Sequence, residues 1–114
     1  METSVAEQGD HGIVTVSGEV DLYSSPRLRE AILGGLSRRR PNVVVDLTGV
    51  SYMDSSGIAT LVEGLQETRK RKGRLVLVGL TARVREVFEL ARLHSVFEIV
   101  PTIDAALPPR IDEA

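Results

Sequence analysis

The sequence contains no cysteine and no tryptophan, and it has only two histidines. The missing cysteines exclude disulfides, thiolate nucleophiles and zinc–thiolate sites, and two histidines leave little material for a histidine-rich metal site. Aromatic residues make up 4% of the chain, so its 42% of hydrophobic residues must build a core from Val, Leu, Ile and Ala. At 114 residues, the chain is predicted to form one domain around one core.

The chain also lacks a strong excess of charge and a long apolar run. Its formal net charge is −2, with 26% of residues charged, and such a mixed surface predicts no direct binding of nucleic acid. No apolar run reaches the length of a membrane span. The N-terminus, METSVAEQGD, has no basic region followed by an apolar stretch, so no secretory signal is visible. We therefore expect a cytoplasmic protein without membrane insertion.

Strand and helix patterns alternate along the chain. Short β-branched or continuous apolar runs predict five strands, over residues 3–8, 11–20, 42–47, 74–80 and 96–100. The first two are expected to form a hairpin through a turn at 9–12. This alternation predicts an α/β fold, a mixed β-sheet flanked by α-helices, over residues 1–107. The tail at 108–114 has little to bury and is expected to be flexible.

Helices are predicted between the strands from apolar residues that recur on one helical face. The first is expected over 24–39, with a start signal at Ser24-Ser25-Pro26, where a cap hydroxyl precedes a proline at the first helical position. The second runs from the turn at 54–57 to Gly73, a helix C-terminal glycine. The third and fourth are capped by Thr81 and Thr102. The predicted buried stripes are Leu28, Ala31, Ile32, Gly35 and Leu36, then Ile58, Leu61, Val62 and Leu65, then Val84, Val87, Phe88 and Ala91.

Common catalytic motifs are missing as well. The chain has no G-x-x-x-x-G-K-[ST], no G-x-G-x-x-G and no H-E-x-x-H, and GVSYM lacks the last glycine of a nucleophile elbow. His11 is expected in a turn and His94 just past the third helix, so a Ser-His-Asp triad is disfavoured. We therefore predict that the protein is not an enzyme, with a small hydrolase using Ser55 or Ser56 as the alternative from another class.

The segment YMDSSGIATL at 52–61 joins a predicted strand to a predicted helix through a loop at 48–53. Asp54 or Ser55 is the expected helix N-cap, and Ser56 and Gly57 belong to the first helical turn. The free N–H groups of a helix start favour negative charge, so a phosphate on Ser56 could be held there. Gly57, which has no side chain, is expected to leave room for a partner's backbone or a nucleotide phosphate. A plain helix cap is the simpler interpretation of the same residues.

Three segments together resemble the STAS domains, and among them the bacterial anti-anti-sigma factors, which antagonise anti-sigma kinases. They are GEVD at 18–21, VVVDLTGVSYMDSSGIATLV at 43–62 and LVLVGLTARVREVFELARLHSVFEIVPTIDAAL at 75–107. The resemblance runs from about Ser4 to Leu107. The strand–DLTGVSYMDSSG–helix core is its specific part, and the remainder agrees in the order and length of elements.

The resemblance implies a phosphorylation switch at Ser56. In such factors the serine before the motif glycine accepts phosphate from the ATP of the partner, an anti-sigma factor serine kinase. The unphosphorylated protein holds that kinase and frees the sigma factor, the phosphorylated protein lets go, and a phosphatase resets it. Asp21, Asp54, Ser55 and Gly57 map onto partner-binding positions, Ser55 more as a cap than as an acceptor. No cofactor and no metal site is implied.

Two other branches of the family share this turn. STAS domains also serve as stressosome components and as cytoplasmic subunits that dock on the ATPase of lipid-transport ABC systems. The short chain fits the stand-alone antagonist or the transporter subunit better than a multidomain regulator. Asp21 also has a local interpretation as a cap or turn residue after its strand.

Overall fold

The computed structural model describes residues 1–108, which form five strands and four helices. In chain order these are β1 (Glu2–Gln8), β2 (His11–Val20), α1 (Ser25–Gly35), β3 (Asn42–Met53), α2 (Ser55–Lys70), β4 (Leu75–Val78), α3 (Ala82–Leu90), β5 (Glu98–Val100) and α4 (Ile103–Ala106). The predicted α/β fold with a mixed sheet is confirmed. The tail predicted to be flexible lies, apart from Pro108, outside the described residues.

The strands lie in the sheet in their sequence order, β1-β2-β3-β4-β5. β1 is antiparallel to β2, and every later pair is parallel. Each parallel pair is joined through a helix, and because such crossovers are right-handed, α1, α2 and α3 all cover the same face. That face carries the main core, in which Phe88 and Phe97 meet edge to face at 5.5 Å. The short α4 covers a smaller apolar cluster on the other face, around Val44, Val76 and Val78.

The predicted hairpin is confirmed, and its turn is tighter than expected. Gln8 and His11 are paired, so the loop contains only Gly9 and Asp10. Gly9 has a φ of +60°, which suits the first central position of a hairpin turn and favours glycine there. The expectation that His11 lies in a turn was wrong, because His11 is the first residue of β2 and is buried.

β3 is longer than predicted, and the prediction of a loop at 48–53 was wrong. The strand continues to Met53 and passes the end of β4, which pairs only with residues 43–46. Beyond that point β3 pairs with β2 alone, through two register shifts. Thr48, Gly49 and Ser51 resemble loop residues in the sequence, whereas Val50 and Met53 are buried against the helices. The extension carries the start of α2 beyond the main body of the sheet.

Two helix ends also differ from prediction. α1 ends at Gly35 rather than near residue 39, and Leu36 is extended but still buried. At the end of α2, the left-handed position belongs to Lys72, with a φ of +58°, and Gly73 follows it. Gly73 is needed for a different reason, because a Cβ there would lie 1.9 Å from the Pro41 carbonyl oxygen.

The start of α1 was only partly predicted. Ser24 is the N-cap, Ser25 already belongs to the helix, and the Ser24 side chain makes no cap hydrogen bond. The predicted caps Thr81 and Thr102 are confirmed, since each side chain accepts a backbone N–H from its helix. The predicted apolar stripes are buried or half-buried except at Ala91, which is exposed at the end of α3.

Candidate functional site

The candidate site lies at the carboxyl ends of β2 and β3. Val20 and Met53, the last residues of these strands, are paired, and the Asp54 N–H donates to the Val20 carbonyl at 3.1 Å. Asp21 and Asp54 each follow directly after this pair. The structure therefore brings together the GEVD and DSSG segments, whose aspartates, Asp21 and Asp54, are 33 positions apart in the sequence.

Asp54 is the N-cap of α2, one of the two candidates for that position. Its Oδ1 atom accepts the backbone N–H of Ser56 at 2.9 Å and that of Gly57 at 3.4 Å. The same oxygen accepts the Ser56 hydroxyl at 2.5 Å. One carboxylate oxygen thus satisfies donors of the first helical turn and fixes the direction of the Ser56 side chain.

The two adjacent serines have different surroundings. Ser55, the first residue of α2, is exposed. Ser56 is half-buried, its hydroxyl is held by Asp54, and its carbonyl accepts the Thr60 hydroxyl at 2.9 Å. Ser56 therefore offers an oriented hydroxyl, and Ser55 offers a free one.

The space beside Gly57 is filled from within the protein. A Cβ at this position would lie 2.6 Å from Met53 Cγ and 2.9 Å from Val20 Cγ1. The reason given for the glycine was wrong, because the missing side chain makes room for the sheet rather than for a partner. Gly57 as a partner contact stays a prediction that would involve its backbone.

Asp21 organises the turn between β2 and α1. Its Oδ1 accepts the backbone N–H groups of Tyr23 and Ser24 and the Ser24 hydroxyl, all at 3.0–3.1 Å. The Ser24 hydroxyl oxygen in turn accepts the Asp21 N–H at 2.9 Å. The backbone N–H of Ser24, helped by its hydroxyl and by the N–H of Tyr23, holds the pKa of Asp21 below its usual value of 3.8. The local interpretation of Asp21 as a turn residue is confirmed, and its role in partner binding stays a prediction.

Large exposed side chains surround the carboxyl ends of β2 and β3. Tyr23 is 90% exposed and Leu22 is 68% exposed, and both lie in the Asp21 turn. Tyr52, beside the other turn, is 40% exposed. Leu22 was missed by the sequence analysis, although an apolar residue between a strand end and a helix start was a usable signal. Met53 is fully buried and belongs to the core.

The histidines lie away from the serines. His11 is at the opposite end of β2, where its ring contacts Asp10 at 2.8 Å and Arg74 at 3.1 Å. His94 is exposed beyond α3. Within residues 1–108, no group of three His, Cys, Asp or Glu side chains could hold a metal ion, and no helix is long and apolar enough to cross a membrane. The arrangement around Ser56 lacks the histidine that a Ser-His-Asp hydrolase requires.

Comparison with known proteins identifies the family of the chain. The STAS domain family model matches residues 2–106. The anti-sigma-B factor antagonist of Listeria monocytogenes is 38% identical over 90 residues, which are 79% of this chain and 79% of that protein. An anti-sigma factor antagonist from Mycobacterium paratuberculosis, known from a crystal structure, has a TM-score of 0.81 at 30% identity, covering 92% of this chain and 89% of that one.

A more distant likeness concerns the fold alone. The Bacillus cell fate determinant SpoIIAA, solved in its phosphorylated form, has a TM-score of 0.70 at 20% identity, over 92% of this chain and 96% of that one. The family model covers nearly the whole chain, and two of the segments that carried the resemblance meet where β2 and β3 end. The chain belongs to the STAS domain family.

Proposed function

We propose that this chain is an anti-sigma factor antagonist that binds an anti-sigma serine kinase while Ser56 is unphosphorylated. The observation that carries this proposal is the half-buried Ser56 hydroxyl, held by Asp54 at the start of α2. A relative that is 38% identical is named an anti-sigma-B factor antagonist. A protein of this fold exists in a phosphorylated form. The chain acts in the cytoplasm as a binding protein, without a cofactor of its own.

The switch works through charge at the helix start. The kinase transfers the γ-phosphoryl group of its ATP to Ser56 Oγ, the hydroxyl proton leaves, and ADP is released. The Ser56 hydroxyl then no longer donates to Asp54, and a dianion lies beside that carboxylate. The helix dipole offsets part of this repulsion, so the domain stays folded. A partner pressed onto the bare turn would have to desolvate the dianion, and it dissociates. A phosphatase restores the hydroxyl.

The kinase contact extends from Ser56 to the Asp21 turn. Leu22 and Tyr23 are strongly exposed there, and large exposed side chains near an interface centre often carry much of its binding energy. Tyr23 does not support the fold, since almost its whole side chain is exposed. We expect Tyr23→Ser to weaken kinase binding about tenfold or more without lowering the melting temperature. Leu90→Ser is the matched control, because Leu90 is 79% exposed at the far end of α3.

A comparative pull-down from native cytoplasm tests the proposal. The baits are the unaltered chain, Ser56→Ala and Ser56→Asp, with Ser55→Ala as the control for the neighbouring hydroxyl. The proposal predicts a serine kinase held by the unaltered, Ser56→Ala and Ser55→Ala baits and lost with Ser56→Asp. An ABC-transporter ATPase held equally by all baits would contradict it and would place the protein in the transporter branch of the family. Capture within a large complex of other STAS proteins, unaffected by Ser56→Asp, would favour a stressosome role.

A further inference from the structure

The two edges of the sheet differ in how well they are protected against pairing with another strand. β5 forms one edge and has only three residues. β1 forms the other edge and has seven residues, all of them exposed. Natural edge strands are usually protected by shortness, by charged side chains (lysine above all), by proline or by a bulge. The β1 sequence, ETSVAEQ, contains no proline or lysine, and its pairing with β2 is continuous from Glu2–Ser17 to Gln8–His11. Its charged residues are Glu2, at the strand's start, and Glu7, whose charge is paired with Arg40.

The hairpin fixes which backbone groups of β1 face outward. In a hairpin with a two-residue loop, the residues that flank the loop, here Gln8 and His11, form a hydrogen-bonded pair. Because such pairs alternate along antiparallel strands, every second residue of β1 directs its N–H and C=O groups towards β2. The groups of Thr3, Val5 and Glu7 therefore point away from the sheet. Within residues 1–108, no strand pairs with that side of β1.

We propose that β1 pairs with β1 of a second copy of this chain, antiparallel and with the two-fold axis at Val5. This register sets Val5 opposite Val5 and Thr3 opposite Glu7 of the second copy. Every outward N–H and C=O of both strands then has a partner. Centring the axis on Ser4 or Ala6 would leave the outward groups of Glu7 or of Thr3 without one. The number of hydrogen bonds thus selects a single register and a closed dimer.

The side chains fit the same register. Val5, which is 45% exposed, meets its own copy at the centre of the seam and becomes covered. Glu2 lies opposite Gln8 of the second copy, so no like charges are directly opposed across the strands. Arg27 lines one surface hollow with Thr3. Glu7 of the second copy is therefore brought towards the cation of Arg27, in addition to its own ion pair with Arg40 at 2.9 Å.

The dimer leaves the candidate phosphorylation site open. Because the two sheets join in antiparallel order, the carboxyl ends of β2 and β3 in the two copies lie at opposite ends of the combined sheet. Ser56 of each copy remains accessible, and the dimer presents two sites that face in opposite directions. Dimer formation does not depend on the role proposed for Ser56, and either can fail without the other.

Sedimentation velocity over a concentration series of the full chain tests the dimer. We expect the unaltered chain to change from monomer to dimer as its concentration rises. Val5→Pro should remain a monomer, because it removes an outward N–H and leaves the β1–β2 hydrogen bonds intact. Val5→Thr is the matched control, since it keeps the backbone donor and the branched shape, and it should still dimerise. A monomeric unaltered chain at all concentrations, or a dimeric Val5→Pro, would overturn the proposal.

Amide hydrogen exchange tests the register without any substitution, and it decides the question if Val5→Pro does not fold. In a monomer, the outward amides of Thr3, Val5 and Glu7 exchange fast, while those of Ser4 and Ala6 are protected by β2. The proposed dimer predicts protection of all three outward amides at high concentration and its loss on dilution. Fast exchange at these positions in a sample that sediments as a dimer would place the interface elsewhere and overturn the proposal.

Discussion

Asp54 and Ser56 are linked so closely that the helix cap and the Ser56 hydroxyl act as one unit. A single oxygen of Asp54 accepts two backbone N–H groups and the Ser56 hydroxyl. The carboxylate thus stabilises the helix start and holds the hydroxyl in one direction. The sequence restricted the cap to Asp54 or Ser55, because Asp and Ser before an apolar helical stripe are frequent N-caps, and the structure selects Asp54. The bond to the Ser56 hydroxyl could not be predicted, since it depends on the side-chain rotamers at the start of the helix.

Removal of the cap should destabilise the domain measurably. We expect Asp54→Ala to lower the free energy of unfolding by about 1 kcal/mol, and Asp54→Asn by less, because Asn keeps an acceptor at the N-cap. Ser55→Ala is the control in the same turn and should change stability by less than about 0.5 kcal/mol, since Ser55 is exposed. Urea denaturation of the four proteins measures these differences. Equal stability of Asp54→Ala and the unaltered chain would show that the cap contributes nothing.

We expect Asp21 to make the free energy of unfolding depend on pH under acidic conditions. Its pKa in the folded protein lies below the unfolded value of 3.8, chiefly because the Ser24 N–H donates to the carboxylate. The ionised form is therefore favoured by folding, and the stabilisation is fully present above pH 3.8 and is lost as the pH falls through the folded pKa. We expect the gap in melting temperature between the unaltered chain and Asp21→Asn to shrink in that range. A gap of constant size from neutral pH into strong acid would contradict this assignment.

The elements around the site are connected through a close contact between α2 and the sheet. Gly57 lies directly on Met53 and Val20, so the helix can approach the strand ends only without a side chain at this position. The sequence identified the glycine as part of the motif but suggested the wrong neighbour. Which side of a helical glycine is filled depends on the rotation of the helix, which local patterns do not specify.

A pair of glycine substitutions separates this contact from helix propensity. Gly57→Ala should lower the free energy of unfolding by about 1–3 kcal/mol, because the new methyl group overlaps Met53 and Val20. Gly34→Ala in α1 is the matched control, since nothing lies within 4 Å of a Cβ there. It should raise stability by about 0.5–1 kcal/mol through helix propensity alone. If both substitutions stabilise the protein, the close contact of Gly57 with Met53 and Val20 does not restrict the side chain at this position.

At the scale of the whole molecule, the order of strands and helices could be predicted because apolar runs alternate with helical stripes. The right-handed crossover rule then places three helices on one face. The extension of β3 past β4 could not be predicted, because its residues are of types that are frequent in loops. Pairing with β2 holds them in the strand. That extension brings Asp54 beside Val20 and so joins the two turns of the site. The meeting of the Asp21 and DSSG turns therefore depends on tertiary structure and not on spacing in the sequence.

The most direct test of the central claim is the affinity of the purified chain for the proposed partner, an anti-sigma kinase, before and after stoichiometric phosphorylation. The kinase and ATP supply the modification, and mass spectrometry of peptides locates it. We predict phosphate on Ser56 and not on Ser55, and a loss of affinity of about tenfold or more in calorimetric titration. Phosphate on another residue, or unchanged affinity with Ser56 fully modified, would contradict the account.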